Sequence, residues 1–310
     1  HTIRASIQLG FQEFFDSRKE DNEWLSVLYD DSEWKQPFCM PLGSMPWHNL
    51  EQRGIPLLKE EIILPDTIVS FSEKESVSDA SKIENLVDIY LKEKRDWKRS
   101  DIELESCKKW TQFETAEQNK NTSVAYCLDF GKEVVGSISL EIEGAEGGEV
   151  VDSLVCEAMN GVSPAILPTN LSSNISFGNR LILKKGSTSH EQFEQWGFRY
   201  LILIFRNCST KLSVKTRLRS LLYPLNIESS FKTSNKRFND IYTMSVLTQQ
   251  NCMLDAYVDC PWREQVQWWG DARVQAKNTF MLSGDARLLA RGIKQIGSQS
   301  VPNGLTYGHA

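Results

Sequence analysis

The chain has 310 residues, 40% hydrophobic and 25% charged, the composition of a globular protein of two or three domains. A net charge of −6 excludes a general nucleic-acid surface. No run of about 18 apolar residues is present, so no membrane span is expected.

The seven cysteines (39, 107, 127, 156, 208, 252, 260) are scattered without a Cys-x-x-Cys pair. Neither a disulfide framework nor a zinc site is expected, and the pattern tips the compartment toward a reducing, cytoplasmic one without fixing it. The four histidines, at 1, 48, 190 and 309, are too dispersed for a metal centre or a Ser/His triad, so no cofactor is expected. The chain opens on His1 and stops at Ala310 in loop-like sequence; both ends read as cuts in a longer polypeptide. Nothing in the sequence sets an oligomeric state.

Residues 1–74 read as an N-terminal β-rich domain or wrapped segment. Tryptophans at 24, 34 and 47 and prolines at 37, 41, 46, 56 and 65 break any long helix, and Ile62–Val69 reads as strand material. Residues 75–106 form a charged, helical connection, with apolar residues at 83, 86, 87, 90 and 91 at helical spacing. A domain boundary is expected near residue 75. Residues 107–225 carry short apolar runs separated by glycine-rich turns, among them Val134–Ile142, Val150–Glu157, Tyr200–Phe205 and Leu212–Leu218, which predicts an antiparallel β-sandwich. Near Pro224 the period changes. Ser234 is a capping residue for a helix with Phe238, Ile241, Tyr242 and Val246 on one face. A second helix is expected from about Asp271 to Leu282, and a third capped by Asp285 with Leu288, Leu289, Ile293 and Ile296 inward. Residues 226–310 therefore begin an all-α domain that the chain does not complete.

The stretch between the first two of these helices concentrates the chemistry. Asp259–Arg273 holds three carboxylates (Asp259, Glu264, Asp271), two arginines (Arg263, Arg273) and three tryptophans (Trp262, Trp268, Trp269). Pyranose C–H faces pack on indoles and sugar hydroxyls need fixed acceptors, so this mixture suits a saccharide. A carboxyl pressed against an indole also loses water, which raises its pKa toward proton donation. The plainer reading stays open: tryptophans beside arginines are often core packing, and Asp271 after Gly270 fits a helix N-cap.

Asp259-Cys-Pro-Trp-Arg-Glu264 followed by Trp268-Trp-Gly-Asp271 resembles the signature of bacterial α-L-rhamnosidases, glycoside hydrolase family 78. Arg53-Gly-Ile-Pro56 after Leu50, Asp129-Phe-Gly131 and Phe198-Arg-Tyr200 resemble other segments of that family in the same order. The resemblance implies β-sandwich domains leading into an (α/α)6 barrel that releases terminal α-L-rhamnose from a rhamnosylated glycan or glycoside with inversion. By motif position Glu264 would be the general acid. Asp259, Arg263 and Asp271 would hold sugar hydroxyls, and Trp268 would line the pocket. Asp259 and Asp271 would raise the pKa of Glu264 by like-charge repulsion, and Arg263 would keep both ionised. Gln265, Val266 and Gln267 stand where the family commonly has Arg-Leu-Gly, and Trp269 replaces a small residue, leaving the aglycone open. The family's general base is a glutamate farther along the barrel. No residue here matches it, and Glu157 and Glu228 read as surface carboxylates. Two alternatives stand: a non-catalytic carbohydrate-binding protein, and a six-hairpin enzyme acting on another sugar.

Overall fold

The computed structural model describes residues 3–5, 8–41, 51–79, 82–119, 121–166, 176–299 and 301–309. His1, Pro46, Trp47, His48, Leu50 and Ala310, read above, lie outside them. The described chain is mostly β, with four α-helices.

Its organising element is the strand Thr122–Ala145, 24 residues long. Residues 122–129 pair on one side with Thr67–Glu75 and on the other with residues 200–206 of the strand Trp196–Arg206, whose first three residues pair with 134–136. Residues 137–145 pair instead with Gly186–Glu191 and Ser213–Leu222. The strand thus passes from one half of a twelve-stranded sheet into the other. The change falls at Phe130–Gly136, where Gly131 takes φ +71°, a conformation costly for residues with a Cβ.

The two halves enclose one core. Tyr126 and Leu128 from the first half meet Ile138, Leu140 and Ile142 from the second, with Leu203, Phe205, Val214 and Leu218 around them. Ser213–Leu222 alternates buried and half-buried positions, as a strand with one covered face must. Trp196–Arg206 does not alternate; all but Arg199 are buried. Its second face is covered by helix α1 (Leu86–Glu93), whose Val87 and Tyr90 pack with Trp97 on Cys127, Ile202 and Ile204. The unbroken run Leu201–Phe205 is the sequence mark of that double covering.

Four expectations change. Ile293, expected inward on the last helix, is exposed. The division at residue 75 does not separate sheets. Phe14–Asp16 pairs with Gly178–Ile182, Lys59–Ile63 with Ser213–Leu222, and Thr67–Glu75 with the long strand, so residues before 75 complete the sheet formed after 107. The helix in 75–106 starts later than its apolar spacing implies. Asn85 caps it, its side chain accepting from the Asp88 N–H, and Ile83 is exposed. After the sheet come α2 (Lys236–Asn251), α3 (Trp269–Leu282) and α4 (Arg287–Gly297). Asn235, not Ser234, caps α2, its carboxamide oxygen accepting from the Arg237 N–H.

Tyr223, Leu225, Met253, Tyr257, Ala272, Ala276, Leu282 and Leu288 form a second core, to which Ile55 is added from the N-terminal segment. Arg53 pairs with Asp255, and its carbonyl accepts from Arg291. The Arg-Gly-Ile-Pro segment is therefore a brace on the helices. Among the described residues no helix is long and apolar enough to cross a membrane.

Candidate active site

The loop between α2 and α3 is held at both ends. Tyr257, 1% exposed, donates its hydroxyl to Thr279 of α3 at 2.9 Å, and the Val258 carbonyl accepts from Gln275. Asp259 then closes the loop on itself. Its backbone N–H reaches the Val266 carbonyl and its Oδ1 accepts from the Val266 N–H, both at 3.0 Å. Cys260 Sγ accepts from the Glu264 N–H. The sheet supports the far side: the Gly197 N–H donates to the Pro261 carbonyl at 2.7 Å, and Gln265 Nε2 reaches the Gln195 and Pro261 carbonyls. A Cβ on Gly197 would lie 2.7 Å from Pro261 Cβ, so this approach needs glycine.

Inside that frame, Glu264 is half-buried. Its Oε2 accepts from Trp268 Nε1 at 3.0 Å and its Oε1 from Arg263 Nη2 at 2.7 Å. Asp259 also lies within hydrogen-bonding reach of it. Asp271 stands exposed in the first turn of α3, where the helix dipole favours a carboxylate. The charges of Asp259 and Asp271 are both felt at the buried Cys252 thiol. Burial first, then the charges of Cys260, Asp259, Glu133 and Asp271, push that thiol up to about 12. The structure thus joins Glu264, Arg263 and Trp268 by direct contact, with Asp259 closing the same loop through Val266 and Asp271 in the first turn of the helix that follows.

The electrostatics run opposite to expectation. The Glu264 carboxyl is held below the ordinary carboxylate range, chiefly by the Trp268 N–H; burial opposes that, and Arg263 adds to the lowering. The indole acts here as a donor rather than an apolar wall. Arg263, expected to keep Asp259 and Asp271 ionised, pairs with Glu264 instead. The N-cap reading of Asp271 also falls: α3 starts at Trp269 after Trp268, two residues earlier than expected.

The other two tryptophans are packing groups. Trp262 lies 4.9 Å from Phe177, against the sheet core. Trp269 packs in the helical core and approaches Gly292, where a Cβ would sit 2.9 Å from its ring. Trp268 meets His309 edge-on at 4.7 Å. Arg273 is exposed on α3.

Glu157 and Glu228 are exposed. The composition of the central stretch gave no sign of Glu133, on the sheet side. Its Oε1 is buried without a partner among the described residues, and burial, then the charge of Glu157, raises its carboxyl to about 7. The signal available was Lys132-Glu133 set between Phe130-Gly131 and the apolar Val134-Val135 at the strand's crossing point. Among the described residues no group of three or more His, Cys, Asp or Glu is arranged to hold a metal ion.

Comparison with known proteins gives a consistent set of relatives. Residues 227–309 match the family model of the bacterial α-L-rhamnosidase 6 hairpin glycosidase domain. An α-L-rhamnosidase of Formosa agariphila is 25% identical over 177 residues, 55% of this chain and 18% of that protein. An α-L-rhamnosidase of Streptomyces avermitilis is 26% identical over 182 residues, 58% of this chain and 17% of that one. The fold is shared over the full chain with half of a family 78 rhamnosidase from a Bacillus species (TM-score 0.83, 17% identity). A Klebsiella oxytoca rhamnosidase, solved with rhamnose bound, matches 83% of this chain and 47% of its own (TM-score 0.61, 19% identity). This chain therefore spans under a fifth of the curated relatives and about half of the structural ones. In signature, matched domain and fold it is similar to bacterial α-L-rhamnosidases.

Proposed function

We propose that this chain supplies the β module and the first helices of an α-L-rhamnosidase, a glycosidase that releases terminal α-L-rhamnose from a rhamnosylated glycan or glycoside with inversion of configuration. The observation that carries the reading is the gathering of Asp259, Glu264, Trp268 and Asp271 at one loop–helix junction, in a segment matched by a rhamnosidase domain model. Residues 1–225 form the β part, and residues 226–310 open an (α/α)6 barrel. Exposed apolar side chains on α2–α4, including Phe238, Met244, Val274, Met281 and Ile293, support the barrel reading, because further helices would cover them.

Glu264 is the general acid in this reading, with Asp259, Arg263 and Asp271 gripping hydroxyls and Trp268 walling the pocket. The acid must carry a proton when substrate binds, although its carboxyl is held low in the free chain. Arg263 is 60% exposed, and such a surface pair contributes only about 0–1 kcal/mol, so Arg263 turns outward to a sugar hydroxyl at little cost. A bound pyranose then removes water from Glu264 and raises its pKa. The base acts across the ring, about 6.5–9.5 Å from the acid, and is supplied from outside these residues. The 310 residues alone are expected to give no turnover.

The experiment is hydrolysis of an aryl α-L-rhamnoside by the complete polypeptide. Glu264→Gln is expected to lower kcat/KM by about 10²–10⁴, with the anomeric product inverted by NMR. Activity within a few fold of wild type would reject Glu264 as the acid. A second reading, a carbohydrate-binding protein without turnover, is favoured by the ionised state of Glu264, which suits a fixed hydroxyl acceptor. Rhamnose binding with no hydrolysis by the complete polypeptide would select it.

A further inference from the structure

We infer that the β module carries a separate binding cleft for a neutral saccharide unit, on the outer face of the sheet and built by two sequence motifs that the catalytic reading leaves unused. Asp129 of Asp-Phe-Gly and Arg199 of Phe-Arg-Tyr meet in a two-pronged ion pair, both contacts at 2.8 Å. Phe130 and Phe198 stack edge-on at 5.5 Å on the core side, and the Arg199 guanidinium lies 5.0 Å over the Tyr200 ring. Asp129 and Tyr200 then line a cleft of about 390 Å³, with Thr67, Arg99 and Ser100 on one side and Met159 and Val162 on the other. That volume falls in the range of small-molecule sites.

The lining selects the ligand. Asp129 is fixed by Arg199 and by the Gly131 N–H, which makes it an oriented acceptor with one lone pair to spare, on Oδ2. Tyr200 is 8% exposed, and its hydroxyl bonds to no other described residue. Thr67 and Ser100 add hydroxyls, the Ser100 oxygen accepting from the Ile102 N–H and so free to donate. Arg99 forms no ion pair among the described residues. Met159 and Val162 supply an apolar wall. Fixed acceptors, several donors and an apolar side match a polyol ring with a C–H face. A second cleft of about 370 Å³ shares Thr67, Ile68 and Ser100 and is lined by Asp66, Asp101 and Glu103. Together with Asp129, those three carboxylates outnumber Arg99 among the residues lining the two adjoining clefts and disfavour a phosphate or a uronate, which leaves a neutral sugar as the occupant.

The test is titration of the 310-residue chain with L-rhamnose, D-galactose and cellobiose, followed by NMR, with D-glucuronate and inorganic phosphate as charged probes. At least one neutral sugar is expected to bind saturably, with Kd below about 10 mM. Thr67→Trp, a substitution at an exposed position that fills the cleft, is expected to abolish that binding. Arg99→Ala, also exposed, is expected to weaken it about tenfold, and the amide shifts that move on titration are expected to fall at Thr67, Arg99, Ser100 and Tyr200. Three results would overturn the inference: no saturable neutral-sugar binding, tighter binding of glucuronate or phosphate, or shift changes confined to residues 259–271 with Thr67→Trp unaffected. Because the shifts separate the cleft from the loop that carries Glu264, failure of either proposal is visible without the other.

Discussion

At the scale of single residues, the chemistry of the site turns on which atom of Trp268 faces Glu264. Four residues apart across a tight loop, the indole presents its N–H to Oε2, and a donor to the charged form lowers a carboxyl pKa. Trp268→Phe removes the largest lowering influence while keeping an aromatic ring. The Glu264 carboxyl is expected to titrate at higher pH in that variant, followed by ¹³C NMR of the side-chain carboxyl in the 310-residue chain. An unchanged titration would mean that Arg263, not the indole, holds it. The sign works through to catalysis as well. A general acid loses activity as pH rises through its pKa, so Trp268→Phe in the complete polypeptide is expected to move the alkaline limb of kcat/KM upward. The acids and indoles of this stretch were legible as a sugar-type cluster. The direction of the shift was not, because composition does not say whether an indole offers its ring or its N–H.

At the scale of elements, strand runs were readable where one face met a core, as along Ser213–Leu222, while the helical period misplaced Ile293, expected inward and exposed. What local pattern could not carry were ionic contacts between distant strands. Asp152 is 1% exposed and receives Arg180 Nε at 2.6 Å and Arg206 Nε at 2.8 Å. Arg206 also reaches Glu93 of α1, which in turn takes Arg95 at 2.6 Å. This network ties the helix to the sheet's outer face. Desolvation opposes the Asp152 charge, but Arg206 and Arg180 outweigh it and hold its pKa below the ordinary value. Asp152→Asn leaves two buried guanidiniums short of a counter-charge and is expected to cost about 3–5 kcal/mol, measured by urea unfolding at neutral pH. For a lowered carboxyl the contribution is complete above the unfolded pKa, near 3.9, and is lost as pH falls through the folded value. The gap between variant and wild type is therefore expected to narrow in acid. Gly197→Ala tests the loop support in the same assay. Its Cβ presses on Pro261, and overpacking of this kind costs about 1–3 kcal/mol.

Over the whole molecule, the sheet ends at Leu222 and the helices begin at Lys236. Residues 14–16, 59–63 and 67–75 pair with strands that follow residue 120, and such long-range pairing leaves no local trace near residue 75. The N-terminal segment then braces the helices through Arg53 and Ile55. Sheet and helices also meet at Glu133, whose carbonyl accepts from Asn251 Nδ2 of α2 at 3.1 Å, while its carboxyl has been raised by burial to about 7. A carboxyl with a folded pKa above its unfolded value binds more protons folded than unfolded, so stability falls as pH rises between the two. From an unfolded value near 4.3 to about 7, the penalty grows to at most about 4 kcal/mol and stays level above that. Glu133→Gln keeps the shape and removes the charge. It is expected to be more stable than wild type at pH 8, with the difference shrinking through pH 6 and vanishing below pH 4, in urea unfolding across that range. A difference independent of pH would mean that the carboxyl stays solvated at the junction. A less stable variant at pH 8 would mean that the ionised carboxylate holds the two parts together.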